Sequence, residues 1–352
     1  MEIVFEETNY SLKALNDLQD SYPEADRLLH FIKCWVNGDT RFQFQTSGST
    51  GPPKQIHISR EQIIASVAAT SNFLRLNKSH RALICLDPNF VASIMMAARC
   101  LVNDMDCFLA RPSADPLKSI DKKISFASFV PFQIYKMMEN KTITQLSKIE
   151  NILVGGAPLT QSGFETLANI NTNIFVTYGM TETVSHVALM PVRESFSDAY
   201  YEVLPDIRIG QDEDGCLHIT GKVTEGKKVQ TNDIVEMLAK NKFRWLGRRD
   251  HAINSGGIKI HPEQLEKSIE GHFSTEFMIS WRPDPKLGSA CILIIEDKPI
   301  QKEKQNEIES IIVESFSKYH VPKQIIELKE FERTDSGKIK REATRKKALN
   351  LF

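Results

Sequence analysis

The chain reads as an α/β protein: one large domain of layered sheets and helices, followed by a small α+β domain. Three observations predict this. From residue 41 to about 180, short apolar runs alternate with helical segments, as in a sheet covered on both faces. From about residue 200 the texture changes to short strands and polar turns: IRIG, DEDG, CLHIT. Then RRDHAINSGGIKIHP, from Arg248 to Pro262, interrupts the core pattern with charge and glycine. A hinge near 248–251 fits, with domains over 1–249 and 250–352.

The first 40 residues carry weak signals, with one helix around 22–34. RFQFQ at 41–45 alternates like a half-buried strand and feeds the glycine-rich TSGSTGPPK at 46–54. Ser59 and Gln62 have capping-box spacing, and Ile63, Ile64, Val67 and Ala68 fall on one face of the helix that follows. RALICL is a buried strand, VASIMMAARCL a helix, and DCFLA and SFASFV strands. Residues 131–139 are helical, ILV at 152–154 is a strand, Leu159–Ala168 is a helix, and NIFVT at 173–177 is a strand. GGAP at 155–158 and YGMTE at 178–182 therefore follow strand ends, where ligand crevices form in such sheets. A TIM barrel would need eight regular units, which the later chain lacks. Beyond the hinge, PEQLEKSIE is helical, TEFMISW and ACILIIE are strands, a long polar helix spans 301–319, and QIIEL is the last strand.

The formal net charge of −1 gives the whole molecule no electrostatic case for nucleic acid. The exception is a tail from Lys338 to Lys347 with six basic residues against Glu342; a solvated helix face or a nearby anionic ligand explains such a run. None of the six cysteines forms a CxxC pair or a zinc spacing. Cys85, Cys100 and Cys291 lie in apolar segments, which suggests reduced, buried thiols and a cytoplasmic protein. The start, MEIVFEETNY, has no secretory pattern, and no window approaches the roughly 20 apolar residues of a membrane span.

TSGSTGPPK is not the common P-loop, because two prolines separate Gly51 from Lys54. Gly48 and Gly51 permit a tight backbone that points N–H groups at an anion; Thr46, Ser47, Ser49 and Thr50 add hydroxyls, and Lys54 adds a cation. A plain Ser/Gly turn is the alternative. Tyr178 can lie against a purine, Thr181 can bond a phosphate oxygen, and Glu182 can hold Mg²⁺; alternatively Thr181 caps a helix beginning at Glu182. Asp233 can accept from two ribose hydroxyls, and Arg248 can neutralise a phosphate or bind ribose. Taken singly, such residues are more often a turn carboxylate and a surface arginine. Lys338, in TDSGKIKR, can stabilise charge developing between a carboxylate and a phosphate, or simply be solvated. There is no GxSxG elbow.

Together, TSGSTGPPK, YGMTE, the Asp233 segment, LGRRDHAINSGGIKIHPEQLE and TDSGKIKR occur in the order of the AMP-forming acyl- and aryl-CoA synthetases, and from about residue 41 onward the chain resembles that family. The resemblance implies an adenylating-enzyme domain with a mobile C-terminal domain. It makes TSGSTGPPK the loop that closes over ATP phosphates, Tyr178 the adenine-stacking residue, and Thr181 and Lys338 catalytic. Glu182 becomes the catalytic Mg²⁺ ligand, Asp233 and Arg248 the ribose pair, and Asp250 the hinge. Gly257, in Ser255-Gly256-Gly257, would line the CoA thiol tunnel. ATP, Mg²⁺ and CoA are the implied cofactor and co-substrates. Within the family, SFVPFQ with Pro131 and Gln133, NILVGGAPL with Gly156 and Ala157, and YGMTETVSHVAL resemble the o-succinylbenzoate–CoA ligases of menaquinone synthesis. Ser185, His186 and nearby backbone donors are then expected to read the aryl end of an aromatic carboxylate. Another aryl- or acyl-CoA ligase and a non-catalytic nucleotide-binding scaffold are the other readings. Two departures stand out: only 45 residues precede the loop, where the family has a much longer stretch, and Asn232 stands where glycine is usual. Retention of Lys54, Glu182, Asp233, Arg248 and Lys338 favours an active compact enzyme. A homodimer is a base-rate expectation.

Overall fold

The computed structural model describes residues 1–45, 55–118, 123–193, 195–196, 198–273, 275–297, 299–334 and 338–350. Among these, the strands form a thirteen-stranded sheet, a five-stranded sheet and a two-stranded hairpin. The α/β class stands.

One half of the large sheet is parallel. Its strands run in the order Glu2–Phe5, Asp106–Leu109, Arg81–Ile84, Phe126–Phe129, Asn151–Val154 and Asn173–Gly179. Both faces are covered, as the near-continuous apolar runs require. Ala82 and Ile84 join the core beneath helices Asp26–Val36, Arg60–Leu74 and Val91–Asn103. Leu83, pointing the other way, joins the core beneath Pro131–Glu139 and Gln161–Ala168. Fully buried Leu28, Leu29 and Ile32 contribute about 1.5–3 kcal/mol each to docking their helix.

The capping box holds: the Ser59 hydroxyl accepts from the Gln62 N–H at 3.2 Å, and the Ser59 N–H donates to Gln62 Oε1 at 2.9 Å. Arg41–Gln45 and Gln55–Ser59 pair antiparallel with Gln45 opposite Gln55, the two residues that flank TSGSTGPPK. The loop itself lies outside the described residues.

After Gly179 the sheet becomes antiparallel, through His186–Pro191, Tyr201–Val203, Lys242–Arg248, Val229–Ala239, Cys216–Gly221 and Ile207–Gln211. The first two strands, Glu2–Phe5 and the edge strand Thr8–Ser11, and the long strand through Asp233 were not expected from the sequence.

The large sheet ends at Arg248, and the second begins at Ile253. In the second, Cys291, Leu293 and Ile295 face helices Pro262–Ile269 and Lys302–Ser315, while Ile292 and Ile294 face Arg341–Leu349. The two sheets' elements touch where Glu270 accepts from the Gln161 N–H at 3.1 Å and where Lys267 sits over Phe196 at 4.6 Å. All six cysteines are free thiols, five of them buried. Among the described residues no helix is long and apolar enough to cross a membrane.

Candidate active site

Three neighbouring parallel strands, Phe126–Phe129, Asn151–Val154 and Asn173–Gly179, end at the same edge, so Val130, residues 155–158 and residues 178–182 emerge side by side. Close approach explains the first glycine of GGAP. The Gly155 N–H donates to the Phe129 carbonyl at 3.0 Å, and a Cβ there would lie 2.1 Å from Thr177 Oγ1. Gly156 and Ala157 follow in the same loop, Gly156 with φ +91°. Pro131 opens the next helix, but the Gln133 amide is occupied structurally. It accepts from the Val130 N–H at 3.1 Å and donates to the Ser113 carbonyl at 2.9 Å.

Tyr178, Asp233 and Arg248 come together across the sheet. Asp233 pairs in register with Arg248 and is 7% exposed. Tyr178 Oη donates to its Oδ2 at 2.6 Å, Trp245 Nε1 donates to its Oδ1 at 3.2 Å, and Arg248 Nη1 lies 3.7 Å from Oδ1. The Asp233 N–H is held by Thr231 Oγ1 at 3.0 Å. The Tyr178 ring meets Phe243 edge-on at 5.2 Å and Tyr201 at 5.6 Å. Burial, then the Asp233 charge, push the Tyr178 hydroxyl well above the ordinary phenol range, so it remains a donor. Arg248 also grips Asp250, through Nε at 2.9 Å and Nη2 at 2.8 Å. Asn232 has a partner that glycine would lack: Arg249 Nη2 donates to its Oδ1 at 2.8 Å, while Arg249 Nη1 donates to Asp214 at 2.9 Å.

Thr181 does not cap a helix at Glu182. A single 3₁₀ turn spans Thr181–Thr183, and the hydroxyl that holds it is that of Thr183, which accepts from the Met180 N–H at 3.2 Å. Next, fully buried Val184 has φ 68° and ψ −51°, with the Ser185 N–H donating to the Thr183 carbonyl at 2.8 Å. A γ-turn of this hand on a β-branched residue stores about 1–3 kcal/mol, held by the packing around it. Among the described residues, neither the Thr181 hydroxyl nor the exposed Glu182 carboxylate has a side-chain partner. Adjacent free oxygens suit Mg²⁺, which commonly takes one or two carboxylates and completes its shell with phosphate and water. No group of three or more His, Cys, Asp or Glu among the described residues could hold a metal by itself.

Arg99 was missed. It belongs to helix Val91–Asn103, is 2% exposed, and has no carboxylate within salt-bridge reach among the described residues. Nη2 lies 3.2 Å from Ser185 Oγ, 3.5 Å from Thr70 Oγ1 and 3.5 Å from His186 Nδ1, while buried Nε has no partner. His186 Nε2 pairs with Thr70 Oγ1 at 2.8 Å, so both ring nitrogens are engaged. Burial pushes the guanidinium down to about 10, leaving it charged at neutral pH. Burial first, then Arg99, hold His186 well below the ordinary imidazole range. The sequence signal was present: an arginine inside the apolar run IMMAARCL.

The remaining site residues lie apart from these two clusters in their contacts. Gly256 and Gly257, both at positive φ, form the two-residue tip between Ile253–Ser255 and Ile258–Ile260. Lys338 bonds its N–H to Thr334 Oγ1 at 3.1 Å, while its ammonium has no partner among the described residues, and burial lowers its pKa. The basic tail is largely consumed internally: Arg341 forks onto Glu266, Arg345 binds Glu342 and lies over Trp281, and Lys347 reaches Glu332. Thr46, Ser47, Gly48, Ser49, Thr50, Gly51 and Lys54 lie outside the described residues.

A layered sheet with a tyrosine–aspartate–arginine cluster beside free threonine and glutamate oxygens has the makings of an AMP-forming ligase. The AMP-binding enzyme family matches residues 11–213. The chain belongs to that family. A 2-succinylbenzoate–CoA ligase of Listeria monocytogenes is 24% identical over 333 residues, covering 88% of this chain and 70% of that protein. An acyl-CoA synthetase (AMP-forming)/AMP-acid ligase II-like protein from Dyadobacter fermentans is 37% identical with a TM-score of 0.63, covering 93% of this chain and 95% of that one. The o-succinylbenzoate CoA synthetase MenE from Bacillus subtilis, in complex with ATP and magnesium, shares the fold at a TM-score of 0.74 and 23% identity, over 86% of this chain and 69% of that one.

Proposed function

We propose that the chain joins CoA to an aromatic dicarboxylate, o-succinylbenzoate, in menaquinone synthesis, using ATP and Mg²⁺. A substrate carboxylate attacks the α-phosphorus of ATP, pyrophosphate leaves, and an acyl-adenylate remains. The CoA thiol then attacks the acyl carbon, its proton passes to solvent, and AMP leaves. Tyr178 would stack on adenine, Asp233 and Arg248 would hold the ribose, and the loop from Thr46 to Lys54 would close over the phosphates. Lys338 would offset charge between carboxylate and α-phosphate, with Thr181 on a phosphate oxygen. Glu182 would hold Mg²⁺, which neutralises phosphate charge when bound. Rotation of residues 250–352 about Asp250 would then exchange Lys338 for Gly257 beside the thiol path.

The observation that carries the dicarboxylate is Arg99. A buried cation without a counter-charge costs several kcal/mol, and its neighbours Ser185, His186 and Thr70 are all uncharged. A second substrate carboxylate supplies the missing charge. Ser185 and His186, expected to read the aryl end of the substrate, would then act as supports of the arginine. The test is a carboxylate panel with ATP and Mg²⁺, with and without CoA. CoA-dependent thioester formation on o-succinylbenzoate, with benzoate and aliphatic acids at least about tenfold poorer, supports the reading. Preference for a monocarboxylate overturns the substrate, and no pyrophosphate release with any acid favours the scaffold.

A further inference from the structure

Trp245 has no role in the chemistry assigned above, yet it touches the centre of it. The reason lies in strand register. Across Val229–Ala239 and Lys242–Arg248, Asp233 faces Arg248, Ile234 faces Gly247, and Val235 faces Trp245. Leu246 is therefore an extra residue. In an unbroken ladder Leu246 would stand opposite Val235, on the face that Val235 shares with Asp233. The bulge moves Leu246 out of register and puts Trp245 there instead, and bulges re-aim side chains in this way. Trp245 accordingly packs, as Tyr178 does, against the apolar cluster that contains Val235 and Phe243, and its indole N–H donates to Asp233 Oδ1 at 3.2 Å.

A carboxylate offers about four acceptor positions on two oxygens. Trp245 takes one on Oδ1, and Tyr178 takes one on Oδ2. One position per oxygen remains, the number that two vicinal hydroxyls need. The two fixed donors on opposite oxygens also stop the carboxylate from turning about its Cβ–Cγ bond. We propose that Trp245 is a positioning residue for hydroxyl recognition, locking the Asp233 carboxylate so that its free acceptor positions match the 2′- and 3′-hydroxyls of a ribonucleotide. The inference rests on Asp233 being the ribose acceptor, as proposed above.

Trp245→Phe keeps the ring and removes only the N–H. With the preferred acid, the KM for ATP should rise about fivefold while kcat changes less than about twofold. The preference for ATP over 2′-deoxy-ATP should fall at least about threefold, an effect that mere loss of packing would not produce. Tyr178→Phe, which frees the other oxygen, should erode the same preference. Unchanged KM and unchanged preference in Trp245→Phe, or tighter ATP binding, would overturn the proposal. AMP titration followed by tryptophan emission gives a readout without turnover: the wild type should respond and Trp245→Phe should lose most of the change, while an equal response overturns the contact. If the wild type turns over no acid, the ligase reading fails by itself, and the AMP titration with 2′-deoxy-AMP beside it still decides the role of Trp245.

Discussion

Asp233 and Arg99 are both buried charges, one on a strand of the large sheet and one on a helix that covers it, and their surroundings are opposite in kind. Asp233 has a donor on each oxygen, Arg248 within 3.7 Å and a bonded backbone N–H. Arg99 has only neutral neighbours and an orphaned Nε. A satisfied charge is ready to receive neutral hydroxyls without reorganising, whereas an unsatisfied one is at its best only when an anion arrives. On the proposed function, the first would serve the ATP ribose and the second the extra carboxylate of the acid.

Breaking the satisfied side should have the largest effect. Asp233→Ala strands two buried donors and leaves Arg248 leaning on Asp250 alone; we expect kcat/KM for ATP to fall about 1000-fold and stability by about 2–4 kcal/mol in urea titrations. A fall in stability without a loss of ATP use would contradict the ribose role. Arg99→Met should separate stability from activity. Removing an uncompensated buried cation should leave the melting temperature unchanged or raise stability by about 1–2 kcal/mol, while kcat/KM for the dicarboxylate falls about 100-fold. The dicarboxylate should stabilise the wild type to heat but not this variant. Equal losses on the dicarboxylate and on benzoate would show that Arg99 carries no selectivity.

The smallest effect is a pH slope. His186, beside Arg99, is depressed in the folded chain, by burial first and by the arginine second. Unfolded, it titrates near about 6.5, so acidification protonates the unfolded chain first. The stability that its neutral ring contributes is whole above about pH 6.5 and is lost as pH falls below it. Urea midpoints should drop between about pH 7.5 and pH 5.5, and His186→Gln should flatten that slope by up to about 1 kcal/mol. A slope unchanged by the variant would mean that other depressed histidines, His218, His261 and His320, carry it.

The parallel half of the large sheet was readable almost strand by strand, because a strand buried on both faces must be a short apolar run. The antiparallel half was read only as short strands and turns. Its long strand Val229–Ala239 mixes Thr231, Asn232 and Asp233 with apolar residues, and its polar residues are satisfied by partners distant in sequence. Asp233 was legible as a candidate because TNDIVEM carries an acid into an apolar stretch, and Arg99 was equally visible in IMMAARCL but passed as part of a helix. Trp245 had no local signal, since its face depends on the bulge at Leu246.

The sequence by itself determined the α/β class and the order of the family's motifs, and it singled out Tyr178, Thr181, Glu182, Asp233, Arg248 and Lys338 as candidates, because periodicity and motif spacing are local properties of the chain. Only the tertiary structure decided which charges are answered. Partnership at Asp233 is made across strands 55 residues apart at Tyr178 and by one shifted register at Trp245. The isolation of Arg99 follows from packing its helix against Thr70 and the Ser185-His186 segment, which bring only neutral groups to it. Hydrogen bonding and desolvation act through space, and chain position does not encode either until the layers have packed.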